Sequence, residues 1–182
     1  MRHKGPWLAA VFLLLATAAF AEALKWTPQN GMLTHIVKGV AGTVLVQPRQ
    51  VALVVEPGRI DRLGPGRHTL AAGGKDILFV SLGTFSDVPW STQIKGITLS
   101  GVVSGRIADE GLFLRTMVGS NLEVSERDLG ESVASFVRAE IDRRTEDAEP
   151  LSPQKARDRM PSKAHFTKYG LTLTALRLVS VR

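Results

Sequence analysis

The sequence has no cysteine, one tyrosine and four histidines among its 182 residues. Without cysteine the chain has no disulfides, thiolate nucleophiles, cysteine-ligated zinc, iron–sulfur clusters or lipids attached through cysteine. The histidines are scattered at positions 3, 35, 68 and 165, and no two of them have the spacing of a metal-binding motif. These absences leave few residue types for catalysis, and we expect no metal and no other cofactor.

The sequence also lacks long runs of one charge, although it is basic overall. It has 23 Lys and Arg against 17 Asp and Glu, a formal net charge of +6, and no cluster of four or more basic residues. Its aromatic residues lie mostly in apolar segments, whereas nucleic-acid sites interleave aromatic residues with basic ones. We therefore expect no nucleic-acid partner. The positive charge favours either an anionic membrane surface or a soluble basic domain.

Catalytic motifs are missing as well. The serines form no Gly-x-Ser-x-Gly elbow, and the segment Gly64, Pro65 and Gly66 lacks the Gly-Lys-Ser/Thr of a phosphate-binding loop. We interpret His68, which follows this segment, as a surface residue or a hydrogen-bonded turn residue. The chain is therefore predicted not to be an enzyme, and no catalytic residue or small-molecule substrate is identified.

The N-terminal segment has the pattern of an export signal. Basic residues 2–4 precede an uncharged stretch of 17 residues, 5–21, which ends in Ala-Phe-Ala. A basic start, a short apolar centre and small residues at the end are typical of a signal peptide. As a helix this stretch is about 25 Å long, whereas a spanning helix usually needs about 20 apolar residues. We therefore favour cleavage between Ala21 and Glu22 over an uncleaved anchor.

Both interpretations of the leader place the remaining chain outside the cytoplasm, because positive charge before an apolar segment stays on the cytoplasmic side. We divide the chain into a leader (1–21), a lead-in segment with weak patterning (22–41) and one domain (42–182). A length of 182 residues and a hydrophobic fraction of 44% are typical of one globular domain with its own core.

The first half of the domain has the pattern of a β-sheet. Residues 43–47 and 50–56 predict two strands, of which 51–55 is apolar on both faces and therefore central. Further strands are predicted over 76–82 and 84–90, with Pro89 at an edge or a bulge. Tight turns are predicted from glycine and proline at Pro57, Gly58, Gly64, Pro65 and Gly66.

Residues 96–107 give the clearest strand pattern. Apolar residues alternate with polar ones, and two glycines, Gly101 and Gly105, fall on the apolar face. These glycines predict that a neighbouring element, such as a helix, packs close against this face.

Helical patterns follow from residue 109. A short helix is predicted over 109–118, and Ser125 with Asp128 has the spacing of a capping box for a longer helix that ends near Thr145. Arg138 with Asp142, and Glu140 with Arg144, are expected to pair on its exposed side. The apolar face is predicted to consist of Leu129, Val133, Phe136, Val137 and Ile141.

A third helix is predicted to begin at Ser152 and Pro153 and to reach Arg159. Gly170 breaks the pattern before a closing strand over 171–181. Strands first, helices next and a strand at the end predict an α+β fold. We expect a mixed or antiparallel twisted sheet packed by two to three helices.

Several of these segments resemble the SPFH (band 7, prohibitin-homology) domain family. Residues 51–60, followed by the Gly-Pro-Gly-x-His turn of 64–68, are similar to the hairpin and turn that open this domain. Residues 78–92, with Trp90, are similar to its virion-core-protein-like branch. The helix 129–144 and the Tyr-Gly-Leu of 169–171 resemble its closing helix and strand.

The resemblance covers about residues 40–182 and implies a membrane-associated scaffold domain without catalysis of its own. It implies homo-oligomers and contacts with membrane proteins or a lipid surface. Trp90 and Arg67 are the candidate interaction residues. The alternative is a soluble periplasmic module that binds a small ligand or a partner protein.

Overall fold

The computed structural model describes residues 22–29, 31–118, 122–145 and 150–182. The predicted leader and its cleavage after Ala21 lie outside the described residues. The described part of the chain is an α+β fold with two β-sheets. The predicted class is confirmed at this level, whereas the prediction of one sheet is wrong.

The strands are β1 (Leu24–Lys25), β2 (Thr34–Val46), β3 (Gln50–Glu56), β4 (Arg59–Leu63), β5 (Gly66–Ser81), β6 (Thr84–Ile94), β7 (Ile97–Ile107) and β8 (Leu171–Val181). The helices are α1 (Glu110–Phe113), which continues into a π-helical turn (Leu114–Val118), α2 (Glu126–Arg143), α3 (Pro153–Asp158) and a 3₁₀ helix (Lys163–Tyr169).

The first sheet has the order β1-β2-β5-β3-β4, with β1 parallel to β2 and the other pairs antiparallel. Strand β3 lies between β5 and β4, and its residues 51–54 are buried. Val51 and Leu53 pack into one apolar cluster, and Ala52 and Val54 pack into a second. The prediction that this run is a buried central strand is therefore confirmed.

The lead-in segment is more regular than its sequence suggests. Strand β2 already begins at Thr34, where the sequence predicted irregular chain as far as residue 41. The register of β2 against β5 shifts between Val37 and Val40 and again before Gly42. Pairing with β5 thus forms the strand despite its weak local pattern, because tertiary context outweighs local propensity.

The second sheet is antiparallel, in the order β6-β7-β8. Strand β6 is an edge strand, as Pro89 predicted, and its register against β7 shifts between Phe85 and Val88. Every second residue of β7 from Ile97 to Ile107 is buried, which confirms the predicted period of two. Helix α2 packs against β6 with Leu129, Val133, Val137 and Ile141 fully buried.

The glycines of β7 make room for strands and not for a helix, which corrects the expectation. A Cβ on Gly101 would lie 2.7 Å from Cζ2 of Trp90 in β6, and 2.0 Å from the carbonyl oxygen of Arg177 in β8. The helix instead approaches the sheet at Gly130 of α2. A Cβ there would lie 2.2 Å from the carbonyl oxygen of Pro89.

We predict that Gly130→Ala destabilises the protein by about 1–3 kcal/mol, because the added methyl group forces α2 away from β6. In an unobstructed helix the same change is stabilising by about 1 kcal/mol. The free energy of unfolding from urea denaturation tests this, with Ser135→Ala on the exposed face of α2 as the control. A Gly130→Ala variant as stable as the natural protein would contradict the close contact.

Candidate interaction surface

The free edge of the second sheet is strand β8. It pairs with β7 on one side, and the register skips Thr174 and Val179, so each of these residues forms a β-bulge. Bulges bend and twist a strand and are one way in which proteins protect sheet edges from unwanted pairing. At the start of β8, the Nζ of Lys163 donates a hydrogen bond to the carbonyl oxygen of Thr174 over 3.1 Å.

Val179 is the centre of the surface around β8. Its side chain is 73% exposed, because the bulge turns it away from the pairs that Ser180 and Leu178 form with β7. Two grooves meet at Val179, and it lines both of them. We call them the α2 groove and the β8 groove.

The α2 groove has a volume of about 770 Å³ and lies between the first turns of α2 and strands β6 and β7. Ser125, Glu126 and Arg127 line its helix side. Ser125 caps α2 in a capping box with Asp128, which gives the backbone N–H groups of both residues a partner, and the N–H of Glu126 donates to the carbonyl oxygen of Gly31. The strand side of the groove consists of Pro89, Trp90, Ser91, Ser100, Gly101 and Val102.

Trp90, a predicted interaction residue, lines the α2 groove but is only 3% exposed. Its ring covers Gly101, and its indole nitrogen Nε1 has no hydrogen-bond partner among the described residues. Buried polar groups are nearly always hydrogen-bonded, so a buried N–H beside a groove without a partner among the described residues is unusual. The sequence identified Trp90 but gave no signal for its burial.

The β8 groove has a volume of about 520 Å³ and runs between β8 on one side and the end of α3 with the chain that follows it on the other. Arg157, Met160 and Pro161 line one side, and residues 176, 178 and 181 line the other. Leu176, Leu178 and Val181 are only partly buried, although they lie opposite core residues of β7. No single motif in the sequence indicates this groove, because its two sides are joined only by the fold.

The remaining predicted site residues of the described chain line neither groove. Arg67 is an exposed residue of β5 opposite Leu45, and the structure does not bring it to either groove. Pro57 and Gly58 form the turn between β3 and β4. Gly64 and Pro65 connect β4 to β5, Gly66 is the first residue of β5, and Gly170 follows the 3₁₀ helix. The Nε2 of His68 is 2.7 Å from the carbonyl oxygen of Gly64, as expected of a satisfied turn residue.

A second group of polar residues surrounds Glu140 at the end of α2. The Glu140 side chain is only 5% exposed, which corrects the prediction that it lies on the exposed side of the helix. Its carboxylate accepts hydrogen bonds from Arg143 and Arg144, each over 2.7 Å, and lies 3.8 Å from Nε2 of His165 in the 3₁₀ helix. The pair of Arg138 and Asp142, 3.6 Å apart, is exposed as predicted.

The hydrogen bonds from Arg143 and then Arg144 lower the pKa of Glu140 to about 2, against the opposing effect of burial. Burial lowers the pKa of His165, helped by the positive charge of Lys168. A carboxylate that accepts hydrogen bonds from two guanidinium groups is a poor proton acceptor. Because neither Glu140 nor His165 lines either groove, we assign this group to holding the end of α2 against the 3₁₀ helix.

Within the described residues, no three His, Asp or Glu side chains are grouped to hold a metal ion, and no helix is long and apolar enough to cross a membrane. No family model matches the chain, and no curated protein matches its sequence. The residues and geometry around β8 are therefore the basis for a proposed function.

We predict that Glu140→Gln costs about 2 kcal/mol at neutral pH, because hydrogen bonds between charged groups are replaced by weaker ones. The folded pKa of Glu140 is about 2, below its usual 4.5. Its contribution to stability is therefore complete above pH 4.5 and is lost as the pH falls towards 2.

The free energy of unfolding measured between pH 7 and pH 2 tests this. The natural protein should lose stability over the acid range, and Glu140→Gln should lose less of it. The matched control is Glu131→Gln, a more exposed glutamate on the same helix. Parallel pH profiles for the natural protein and Glu140→Gln would show that Glu140 does not stabilise the fold through its charge.

Proposed function

We propose that this chain is a non-enzymatic, membrane-associated scaffold or protein-interaction domain of the SPFH/band 7 type, exported from the cytoplasm. The observation that carries the proposal is Val179, an exposed aliphatic residue between two grooves on a free sheet edge. Edge strands and contiguous apolar surfaces are where soluble domains bind other chains. Export is supported by the sequence pattern of residues 1–21.

The described fold supports the SPFH part of the proposal in two ways. The resemblance includes an opening hairpin and a Gly-Pro-Gly-x-His turn, and this segment of the fold contains the hairpin of β3 and β4 and a hydrogen bond between His68 and Gly64. It also included a closing helix and strand, which correspond to α2 and β8. These features are compatible with the family, and the assignment to it is our proposal.

Self-association is the property of such a scaffold that the exposed hydrophobic residues allow to be tested most directly. Val179 and Ile60 are the large hydrophobic residues that stand out from the described surface, with exposures of 73% and 63%. Ile60 lies in β4, at an edge of the first sheet, and lines neither groove. The two residues therefore form a matched pair for testing which edge makes contacts.

We predict that Val179→Asp lowers the oligomeric state of the full chain, because a carboxylate at this position must be desolvated in any contact. Ile60→Asp adds the same charge and should leave the assembly unchanged. Size-exclusion chromatography with light scattering measures the mass of each variant. A natural protein that is monomeric at all concentrations, or a Val179→Asp variant that assembles normally, would count against the scaffold.

Association with a lipid surface is the second property of the proposed scaffold. The net charge is +6 for the whole chain and +4 after the predicted cleavage, which removes Arg2 and Lys4, and a basic domain is attracted to anionic headgroups. Flotation with vesicles containing phosphatidylserine should recover more protein than flotation with pure phosphatidylcholine, and 0.5 M NaCl should remove about all of the difference. Equal recovery from both vesicles would remove the electrostatic contribution.

The α2 groove favours one alternative function, a soluble periplasmic module that binds a small ligand. Its volume of about 770 Å³ is within the usual range of small-molecule sites, and Trp90 contributes a buried donor without a partner among the described residues.

A ligand in this groove that accepts the free hydrogen bond should move the indole N–H resonance of Trp90 in a nitrogen-edited NMR spectrum. Trp90→Phe identifies that resonance by its loss. A ligand screen that leaves the resonance in place in every case would argue against this function. Such a result would leave the scaffold proposal as it stands.

A further inference from the structure

We infer that the β8 groove binds an extended segment of another protein, with acidic residues alternating with apolar ones, which adds as a strand to the free edge of β8. The inference deepens the proposed interaction function and rests on it, because it names the class of partner that this surface takes. Three observations carry it: an unpaired edge, an incompletely covered core and a basic rim.

The unpaired edge is the stretch of β8 from Ala175 to Val181. In the described chain, backbone hydrogen bonds of this stretch go to β7 alone, so every group on the opposite side lacks a backbone partner. Before this stretch, Lys163 already occupies the carbonyl oxygen of Thr174. A sheet edge of this kind binds an extended peptide through main-chain hydrogen bonds, with alternate side chains directed into pockets.

The core is incompletely covered along the same stretch. At the start of β8, Leu171 and Leu173 are buried beside the 3₁₀ helix. Further along, Leu176 and Leu178 lie opposite Val103 and Gly101, on the core face of the sheet, yet they are only partly buried and line the groove. An added strand with apolar residues at alternate positions would cover these side chains, which is favourable in proportion to the area buried.

The rim of the groove is basic. Arg157 lines the groove, no carboxylate does, and Arg157 has no ion-pair partner among the described residues. Lys163 stands at one end of the free edge and Arg182 follows the other end. Asp158, the acidic neighbour of Arg157, is on α3 and accepts a hydrogen bond from Gln154. Charge complementarity therefore selects an occupant with carboxylates near these cations.

A second copy of this chain fits the groove less well than an acidic segment does. If two β8 edges paired, Arg157 and Arg182 of one copy would approach the same two arginines of the other copy. These like charges would repel each other. The bulges at Thr174 and Val179 leave the four residues 175–178 as regular edge, which is short for a continuous sheet between two copies but sufficient for a peptide strand. Like charges and short edges are both devices against edge-to-edge association.

The experiment measures binding of fluorescein-labelled synthetic heptapeptides to the full chain by fluorescence anisotropy. The first peptide alternates glutamate and valine. The second has lysine in place of glutamate. The third repeats the first with N-methyl groups on alternate backbone amides, which removes the hydrogen-bonding edge and keeps the charge. The protein variants are Arg157→Glu and, as a control with the same change in net charge, Lys38→Glu, an exposed residue of β2.

We expect the glutamate–valine peptide to bind the natural protein at least tenfold more tightly than the lysine–valine and N-methylated peptides. Arg157→Glu should weaken the first peptide at least tenfold and strengthen the lysine–valine peptide, whereas Lys38→Glu should change either affinity less than twofold. Bound peptide should also slow amide hydrogen exchange between residues 175 and 181. Reversal of the peptide preference by Arg157→Glu is a result that misfolding cannot produce.

The inference is overturned if the acidic and basic peptides bind equally, if N-methylation has no effect, or if Arg157→Glu and Lys38→Glu behave alike. It is also overturned if light scattering shows a dimer of the natural protein that excludes the peptide, because the occupant is then a second copy. If the peptide tests fail but assembly still depends on Val179, the scaffold proposal stands. If a strictly monomeric chain binds the peptide, the inference about this groove stands and the scaffold proposal is wrong.

Discussion

The contact between Gly130 of α2 and Pro89 of β6 determines how helix α2 lies on the second sheet. Here the helix lies against the backbone of an edge strand, with no space for a Cβ. The same edge strand supplies Trp90, whose ring lies over Gly101 in the space where β7 has no side chain. Close-packed interiors transmit such constraints, because no free volume remains to absorb them. The start of α2, and with it one wall of the α2 groove, is therefore fixed by two glycines.

The second sheet shows how a domain leaves a surface for other chains without exposing a simple edge. Strand β6 is covered by α2, whereas the far side of β8 is covered by the 3₁₀ helix only along its first residues. The rest of β8 has bulges at Thr174 and Val179, and basic residues lie beside it. This arrangement discourages unspecific pairing and retains an apolar floor for a selected partner.

Local patterns predicted the elements whose own sequence determines them. The alternation in 96–107, the capping box of Ser125 and Asp128 and the turn glycines were all visible in the sequence, because each depends on residues close together in the chain. A strand was predicted over 43–47, but the first part of β2, residues 34–42, was missed because long-range pairing with β5 forms it. The burial of Glu140 was missed because a charged residue on a helix is usually exposed, and its partner His165 comes from a distant segment.

The candidate site was the least predictable part for the same reason. Trp90 was named from a resemblance, but its burial and its indole N–H without a described partner depend on Gly101 and α2. The two sides of the β8 groove are contributed by residues 157–161 and 176–181, which no local motif connects. Arg67 was named from the same resemblance, and the fold leaves it in the other sheet, away from both grooves.

Val179 belongs to the walls of both grooves at once. An occupant that shifts this side chain in one groove changes the shape of the other groove. The two binding equilibria are then linked by a coupling free energy. Thermodynamic linkage requires that term to act equally in both directions. If both grooves bind ligands, a single bulged valine is the side chain through which the strand would couple them, without any movement of the domain as a whole.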